Sequence, residues 1–375
     1  MSFVTQEDII QLSEEMLLQV LNGVIEEFKL DKKPIRSFTR LTYDEALHFY
    51  GCDKPDLRFD LRLFDVTDVV RDAELGVFRN VAETGGMIRG IRYPGGAKLS
   101  RREIAHLEEY CKEFGAKGMA YLLIESGISE SGYSSPSGLY AKGPLAKFFK
   151  PEEMNAIFTI AQAEPGDLLC FIADSYMQGN NILYRLRNKI GDQCGLRDPR
   201  ILNFCWITDF PLVEWDEEAQ RWQSIHHPFT GPKFEDLIYI DTNPEKIRAE
   251  CYDVVCNGLE CASGSIRIHR PDIQARIFKL LGIDEDVQRE RFGHILQAFH
   301  FGAPPHGGIA PGIDRLTALL TGDEHNIREV IAFPKIAHGH DPLMNAPSPI
   351  ETEQWQELGL KLAEPYASML TCSKN

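Results

Sequence analysis

Gly307-Gly308-Ile309-Ala310-Pro311-Gly312-Ile313-Asp314-Arg315 runs directly into the apolar stretch Leu316-Thr317-Ala318-Leu319-Leu320. The order of residue types reads as a strand that breaks at glycine and enters a helix. Gly307, Gly308 and Gly312 keep side chains out of the way of a ligand, and the new helix offers unpaired N–H groups and the positive end of its dipole. That is a seat for an anion. Arg315, in the first turn, adds a permanent cation with a forked donor set suited to phosphate or carboxylate. Taken alone the stretch has a second reading, tight packing between strand and helix, so the rest of the chain has to choose.

The 375 residues, 43% apolar and 26% charged, have the composition of a globular chain long enough for two or three domains. A formal charge of −16 argues against a protein that coats nucleic-acid backbone, although a confined basic patch on an acidic body is compatible with it. Nine cysteines, scattered and without a CxxC pair, suggest neither a disulfide framework nor a zinc knuckle, and reduced thiols in the cytoplasm are expected. No apolar run approaches the roughly 18–20 residues that cross a bilayer, and the N-terminus lacks a basic-then-apolar signal pattern. A cytoplasmic enzyme or binding protein, with no membrane partner, is expected.

Helix starts are well marked. Thr5 with Asp8, Thr42 with Glu45 and Ser100 with Glu103 are capping boxes, and apolar residues from Ile9 to Phe28 recur at helical spacing. Met1–Val4 reads as the tail of a strand and Ile35–Leu41 as a short β-like segment. From about Val66 the segments shorten and turns multiply, with a Gly/Ser loop at Glu125–Tyr140, as in a separately folded α+β module. Gly118–Ile124 and Asp167–Ala173 read as strands, Pro151–Ala161 as a helix, and Asn180–Ile190 as a basic helix facing water. Beyond it, strand texture at Ile201–Trp215 pairs with Trp222–Ile225, which ends in His226-His227. Glu245–Glu250 reads as helical, and Cys251–Glu260 with Ser265–Ile268 as a hairpin turning at Cys261-Ala262-Ser263-Gly264. Pro271–Leu281 and Glu285–Phe299 read as amphipathic helices, Asn326–Lys335 as a strand edge and Ile350–Leu362 as a closing helix.

The chemistry-bearing residues cluster in this last third. Asp253 and Glu260 stand an odd number of residues apart, which puts them on opposite faces of a regular strand, unless a bulge at Asn257-Gly258 brings both to one side. Converging, they would bind a magnesium ion that bridges phosphates; otherwise one is an exposed carboxylate and the other a turn residue. Arg267, between Ile266 and Ile268, needs an anionic partner if its face is buried: Asp253, or a substrate carboxylate. His226 and His227 point opposite ways on a strand and have no third ligand at metal spacing, so one is expected to supply a hydrogen-bonding group beside a small polar ligand and the other to be structural. Together these residues describe a site for ATP and a small acid.

The same residues resemble a known family. Gly308 to Arg315 is similar to the third signature motif of class II aminoacyl-tRNA synthetases. Ile225-His226-His227-Pro228-Phe229-Thr230, Asn257-Gly258-Leu259-Glu260, Gly264-Ser265-Ile266-Arg267 and Ala332-Phe333-Pro334-Lys335 resemble stretches of the bacterial-type aspartyl-tRNA synthetases. Tyr93-Pro94-Gly95-Gly96-Ala97 and Phe114-Gly115-Ala116-Lys117-Gly118 look like marks of that family's inserted domain, related to one in the B subunit of tRNA-dependent amidotransferases. The resemblance implies an α+β fold: an antiparallel-sheet class II catalytic core, here partial, in two parts (1–65 and 196–375), with an α+β insertion at 66–195. It implies ATP and Mg2+ as cofactors, L-aspartate and the aspartate tRNA, or also the asparagine tRNA, as partners, and a homodimer. By the same resemblance Glu260 and Arg315 are catalytic; Glu260, Gly312, Ile313, Asp314 and Arg315 bind ATP; Asp253 and Glu260 hold its magnesium; His226 and Arg267 bind aspartate; and His227, Asp253 and Ser263 form a second tier. Pro311, where the family often has a bulky residue, is a minor departure.

Met1-Ser2-Phe3-Val4 resembles the last strand of the second signature motif. The first half of that motif, with its arginine and glutamate, the first motif and the anticodon-binding OB domain have no counterpart. The expectation is therefore an N-terminally truncated aspartate–tRNA ligase with little or no aminoacylation activity as an isolated chain. Two other readings stand beside it: a non-catalytic paralogue that binds nucleotide, amino acid or tRNA, and a tRNA-independent enzyme that activates aspartate with ATP.

Overall fold

The computed structural model describes residues 1–129, 132–323, 326–361 and 363. The chain divides into two compact units, Met1–Gly312 and Ile313–Asn375. In the first, α1 (Gln6–Glu27), β1 (Thr39–Thr42) and α2 (Tyr43–Tyr50) lead to a second group: β2 (Leu63–Asp65), α3 (Thr67–Val70), α4 (Gly76–Glu83), β3 (Met87–Tyr93), α5 (Arg101–Glu113), β4 (Ala120–Ser126), β5 (Leu139–Lys142), α6 (Pro151–Ile160), β6 (Leu168–Asp174) and α7 (Tyr176–Gln193). The chain then returns through β7 (Phe204–Thr208), β8 (Val213–Asp216), β9 (Arg221–Ser224), β10 (Cys251–Cys256), β11 (Leu259–Ile266), α8 (Pro271–Leu280), α9 (Glu285–His300) and β12 (Gly307–Pro311). The second unit contains α10 (Ile313–Thr321) and α11 (Thr352–Glu357).

The three capping boxes form as read: Thr5, Thr42 and Ser100 each accept a hydrogen bond from the third helical N–H, and Asp8, Glu45 and Glu103 reach back. Two five-stranded sheets follow. One has the order β1-β7-β10-β11-β12, antiparallel throughout except for the parallel pair β1–β7. Side chains alternate along β7 and β10, so Phe204, Trp206, Tyr252 and Val254 face one way, where Trp206 donates to Glu14 of α1 at 2.9 Å. Cys205, Ile207, Cys251 and Val255 face the other way, into a core with Phe210, Leu212, Ile247, Ile268 and Ile277. Met1–Val4 adds a single antiparallel rung, Ser2 to His306, beside β12.

The second sheet, β2-β3-β6-β4-β5, is wholly antiparallel. Helices cover both faces, α5 and α7 on one and α3, α4 and α6 on the other. A strand buried on both sides needs no polar alternation, which is why Leu168-Leu169-Cys170-Phe171-Ile172 is one apolar run.

Several segments differ from the sequence reading. The basic helix does not simply face water: Arg187 is 0% exposed, and Arg185 and Lys189 lie over the rings of Phe114 and Tyr110. Arg187 donates to the carbonyls of Asp56, Phe59 and Leu61, so its planar fork ties the 56–61 loop to α7. Glu245–Glu250 is helical only as a single 3-10 turn, Pro244–Lys246, after which buried Ile247 and Ala249 draw the chain into extended bridges. No residue of α9 is fully buried, and its Phe292 packs against Phe229 and Phe278. Among the described residues, 326–335 forms a 3-10 turn at Ile327–Glu329 and no strand. The closing helix is α11; Leu362 lies outside the described residues, as does Cys372. The eight described cysteines are free thiols, and no helix among the described residues is long and apolar enough to cross a membrane.

Candidate active site

The site is built on the β10–β11 hairpin, and its turn is not where the sequence suggested. Asn257 and Gly258, with φ of 53° and 89°, make the connection, because these two residue types tolerate the left-handed region that a tight hairpin needs. Cys261-Ala262-Ser263-Gly264 lies within β11 instead. A bulge does unite the carboxylates, but at a different place: Val254 pairs with Ala262 and Val255 with Glu260, leaving Cys261 as the extra residue. Asp253 pairs with Ser263 and Val255 with Glu260, so the shift puts Asp253, Glu260 and Ser263 on one side of the sheet. Alternation along β11 carries Ser265 and Arg267 to the same side.

Gly307 and Gly308 divide the two readings of the glycine-rich stretch. A Cβ on Gly307 would lie 2.6 Å from Ile266, so that glycine is packing; one on Gly308 would meet nothing within 4 Å. Gly312 donates to the Cys261 carbonyl at 2.7 Å and closes the strand. Ile313, Asp314 and Arg315 are the first turn of α10 in the second unit, where Leu316, Ala318 and Leu319 are buried.

Asp253 is 3% exposed, and its Oδ1 has no hydrogen-bond partner among the described residues. Burial pushes its carboxyl up to about 7, against the bond from Ser263, and the nearby charge of Glu260 pushes the same way. Glu260 is half-buried and meets Lys54, whose Nζ is 2.9 Å from its Oε2 and 4.0 Å from Asp53. Burial alone would lower the Lys54 ammonium; the bond to Glu260 and the charges of Asp53, Glu260 and Asp253 raise it above its ordinary range. Asp53 and Lys54 belong to no motif read from the sequence. Nothing local marks them, since they reach the hairpin only through the fold.

Arg267 Nη1 lies 3.0 Å from His227 Nδ1, which also accepts the backbone N–H of Phe229 at 3.0 Å. With two donors aimed at it, Nδ1 carries no proton, and the neutral ring bears its hydrogen on Nε2. Arg267 has no carboxylate partner among the described residues, Asp253 included, and burial lowers it from its ordinary value. A half-buried guanidinium with most of its donors uncommitted is suited to an incoming carboxylate. His226 packs edge-on against Phe210, and its buried Nε2 has no hydrogen-bond partner among the described residues. Burial lowers its basicity, while Glu260 and Asp53 work against that.

No group of three or more His, Cys, Asp or Glu converges into a metal cage among the described residues. Two carboxylates, one with an orphaned oxygen, fit an ion that takes its other ligands from phosphates and water, as magnesium does.

His227 gives the fold a pH dependence. Burial, then the charge of Arg267, lowers it from 6.5 to about 4. Below pH 6.5 the unfolded chain takes up a proton that the fold refuses, so this contribution is complete above 6.5 and lost as pH falls toward 4. The urea midpoint of His227→Gln is expected to fall less between pH 7 and 5 than that of the unmodified chain; equal slopes would refute this assignment.

Residues 1–337 match the family described as tRNA synthetases class II (D, K and N). The aspartate–tRNA(Asp/Asn) ligase of Rubrobacter xylanophilus is 48% identical over 365 residues, 97% of this chain and 58% of that protein. The aspartate–tRNA ligase of Shouchella clausii is 44% identical over 362 residues, 96% of this chain and 58% of that protein. Among solved structures, an Entamoeba histolytica asparaginyl-tRNA synthetase in complex with asparaginyl-adenylate is 15% identical with a TM-score of 0.40, over 91% of this chain and 47% of that one. The chain thus spans about 58% of the length of the curated relatives it matches.

Proposed function

Because the chain belongs to the class II tRNA synthetases of the aspartate, lysine and asparagine group, we propose that it carries an aspartate–tRNA ligase site, which activates L-aspartate with ATP and passes it to tRNA of the aspartate/asparagine pair. The aspartate α-carboxylate attacks the α-phosphorus of ATP, the bond to the bridging oxygen breaks, and aspartyl-adenylate and pyrophosphate result. A hydroxyl of the terminal tRNA ribose then attacks the activated carbonyl and releases AMP. Arg267 holds the side-chain carboxylate of aspartate, His227 fixes the guanidinium, and His226 lines the amino-acid pocket. Asp253 and Glu260 would hold Mg2+, which supplies positive charge to the polyphosphate as pyrophosphate leaves. Gly312, whose own N–H is held by the Cys261 carbonyl, leaves room for ATP, and Ile313, Asp314 and Arg315 offer it the N–H groups of a helix start and a fixed cation. Such chemistry asks the protein mainly for positioning and charge stabilisation.

The observation that supports this reading is Arg267: a half-buried cation without a carboxylate partner among the described residues, on the same side of the sheet as Asp253 and Glu260. The test is calorimetric binding of a non-hydrolysable aspartyl-adenylate analogue to the purified chain, beside its asparaginyl counterpart. A neutral amide cannot form the charge-assisted fork to Arg267, so the aspartyl analogue is expected to bind on the order of a hundredfold more tightly. Equal affinity for the two would refute the proposed substrate.

A further inference from the structure

Lys54 lies directly on a carboxylate of the hairpin, Glu260, and its loop shows two kinds of ion pair. The Asp56–Arg58 pair is locked, its side chains 2% and 4% exposed. The Lys54–Glu260 pair is open, its side chains 41% and 31% exposed. The root of Lys54 is nevertheless fixed. Arg187 holds the carbonyls of Asp56, Phe59 and Leu61, and Asn203 donates to the carbonyl of Leu57 at 2.7 Å while its own N–H bonds the Asn257 side chain of the hairpin turn. A rigid base with a solvent-open head makes a contact that can form and break without moving the loop.

The surroundings give that contact a purpose. Asp53, Asp253 and Glu260 are three carboxylates around one ammonium, and the buried Oδ1 of Asp253 has no hydrogen-bond partner among the described residues. Like charges so close repel, and a cation between them relieves the repulsion.

We propose that Lys54 is an exchangeable counter-cation for the Asp253–Glu260 pair: it neutralises Glu260 while no nucleotide is bound, and yields Glu260 Oε2 to a divalent cation when one enters. This rests on the reading that these two carboxylates hold the cation. The ion and the ammonium compete for one oxygen. Once displaced, the ammonium stays beside the ion with its three N–H donors available to polyphosphate oxygens. Lys54 is therefore a positioning residue, which keeps Glu260 in place and sets the order of binding, with the metal–nucleotide pair favoured over the bare metal.

The test is Mn2+ binding to the full chain without nucleotide, followed by electron paramagnetic resonance, for the unmodified protein and for Lys54→Met, Lys54→Arg and Glu260→Gln. With the competitor removed, Lys54→Met is expected to bind Mn2+ about fivefold more tightly, in keeping with the worth of a half-exposed ion pair, and Lys54→Arg to stay within twofold of the unmodified chain. Equal or weaker binding by Lys54→Met overturns the proposal. Glu260→Gln tests the underlying metal reading by itself: loss of Mn2+ binding supports that reading whatever Lys54→Met does, and unchanged binding removes it.

Discussion

Arg187→Met is expected to lower the stability of the first unit by about 3–5 kcal/mol, read as a fall in the urea midpoint at pH 7. The side chain is 0% exposed, and donates to Leu61 O at 2.7 Å, Asp56 O at 2.9 Å and Phe59 O at 2.8 Å, while its guanidinium carbon lies 4.0 Å from the Phe59 ring centre. Methionine fills the volume but leaves three carbonyls without donors in a site that water does not reach, and each such orphan costs about 1–3 kcal/mol. Relief of the buried charge opposes this: burial has already brought Arg187 down to about 10, although it remains charged at pH 7. The orphaned carbonyls outweigh the relief because the guanidinium also faces Asp56, whose carboxylate is shared by Arg58 and Arg197. Arg187→Lys keeps the charge but cannot reach three carbonyls from one nitrogen, so an intermediate loss is expected. A fall below about 1 kcal/mol for Arg187→Met would show that the loop holds itself without the clamp.

Arg267→Ala is expected to weaken binding of the aspartyl-adenylate analogue on the order of a hundredfold or more, the usual cost of truncating one member of a buried, hydrogen-bonded charge pair. Thermal stability is expected to change little, because the guanidinium is only half-buried and its side-chain bond is to His227 rather than to a carboxylate. That contrast separates a binding role from a structural one. Arg267→Lys is expected to recover only part of the affinity, since a point charge cannot bond His227 and grip a carboxylate in a fork together. Affinity within threefold of the unmodified chain for Arg267→Ala would sink the assignment.

The most legible parts of the sequence were those in which a few neighbouring residues carry the whole physical reason. Thr5 with Asp8, Thr42 with Glu45 and Ser100 with Glu103 satisfy orphan N–H groups within one turn, so each helix start could be placed from four residues. The strand-to-helix change at Gly312 was legible for the same reason. The hairpin was misread at its turn even though Asn257-Gly258 is a strong local signal, because the small polar run Cys261–Gly264 looked equally turn-like; cross-strand pairing and burial decide otherwise. The basic helix was misread because three cations at helical spacing look the same whether they meet water or the carbonyls of a distant loop.

Local chemistry thus determined the helix starts, the glycine break before α10 and the set of residue types able to serve ATP and an acid, since each depends on spacing along the chain. The tertiary structure alone decided that a bulge at Cys261 unites Asp253 with Glu260, that Arg267 meets His227 rather than a carboxylate, and that Lys54 reaches Glu260 from a loop some two hundred residues away in the chain. Side-chain direction in a strand flips with every residue, so one extra residue in the register changes which groups meet. No reading of spacing alone locates that residue, because the pairing that creates it lies in the neighbouring strand.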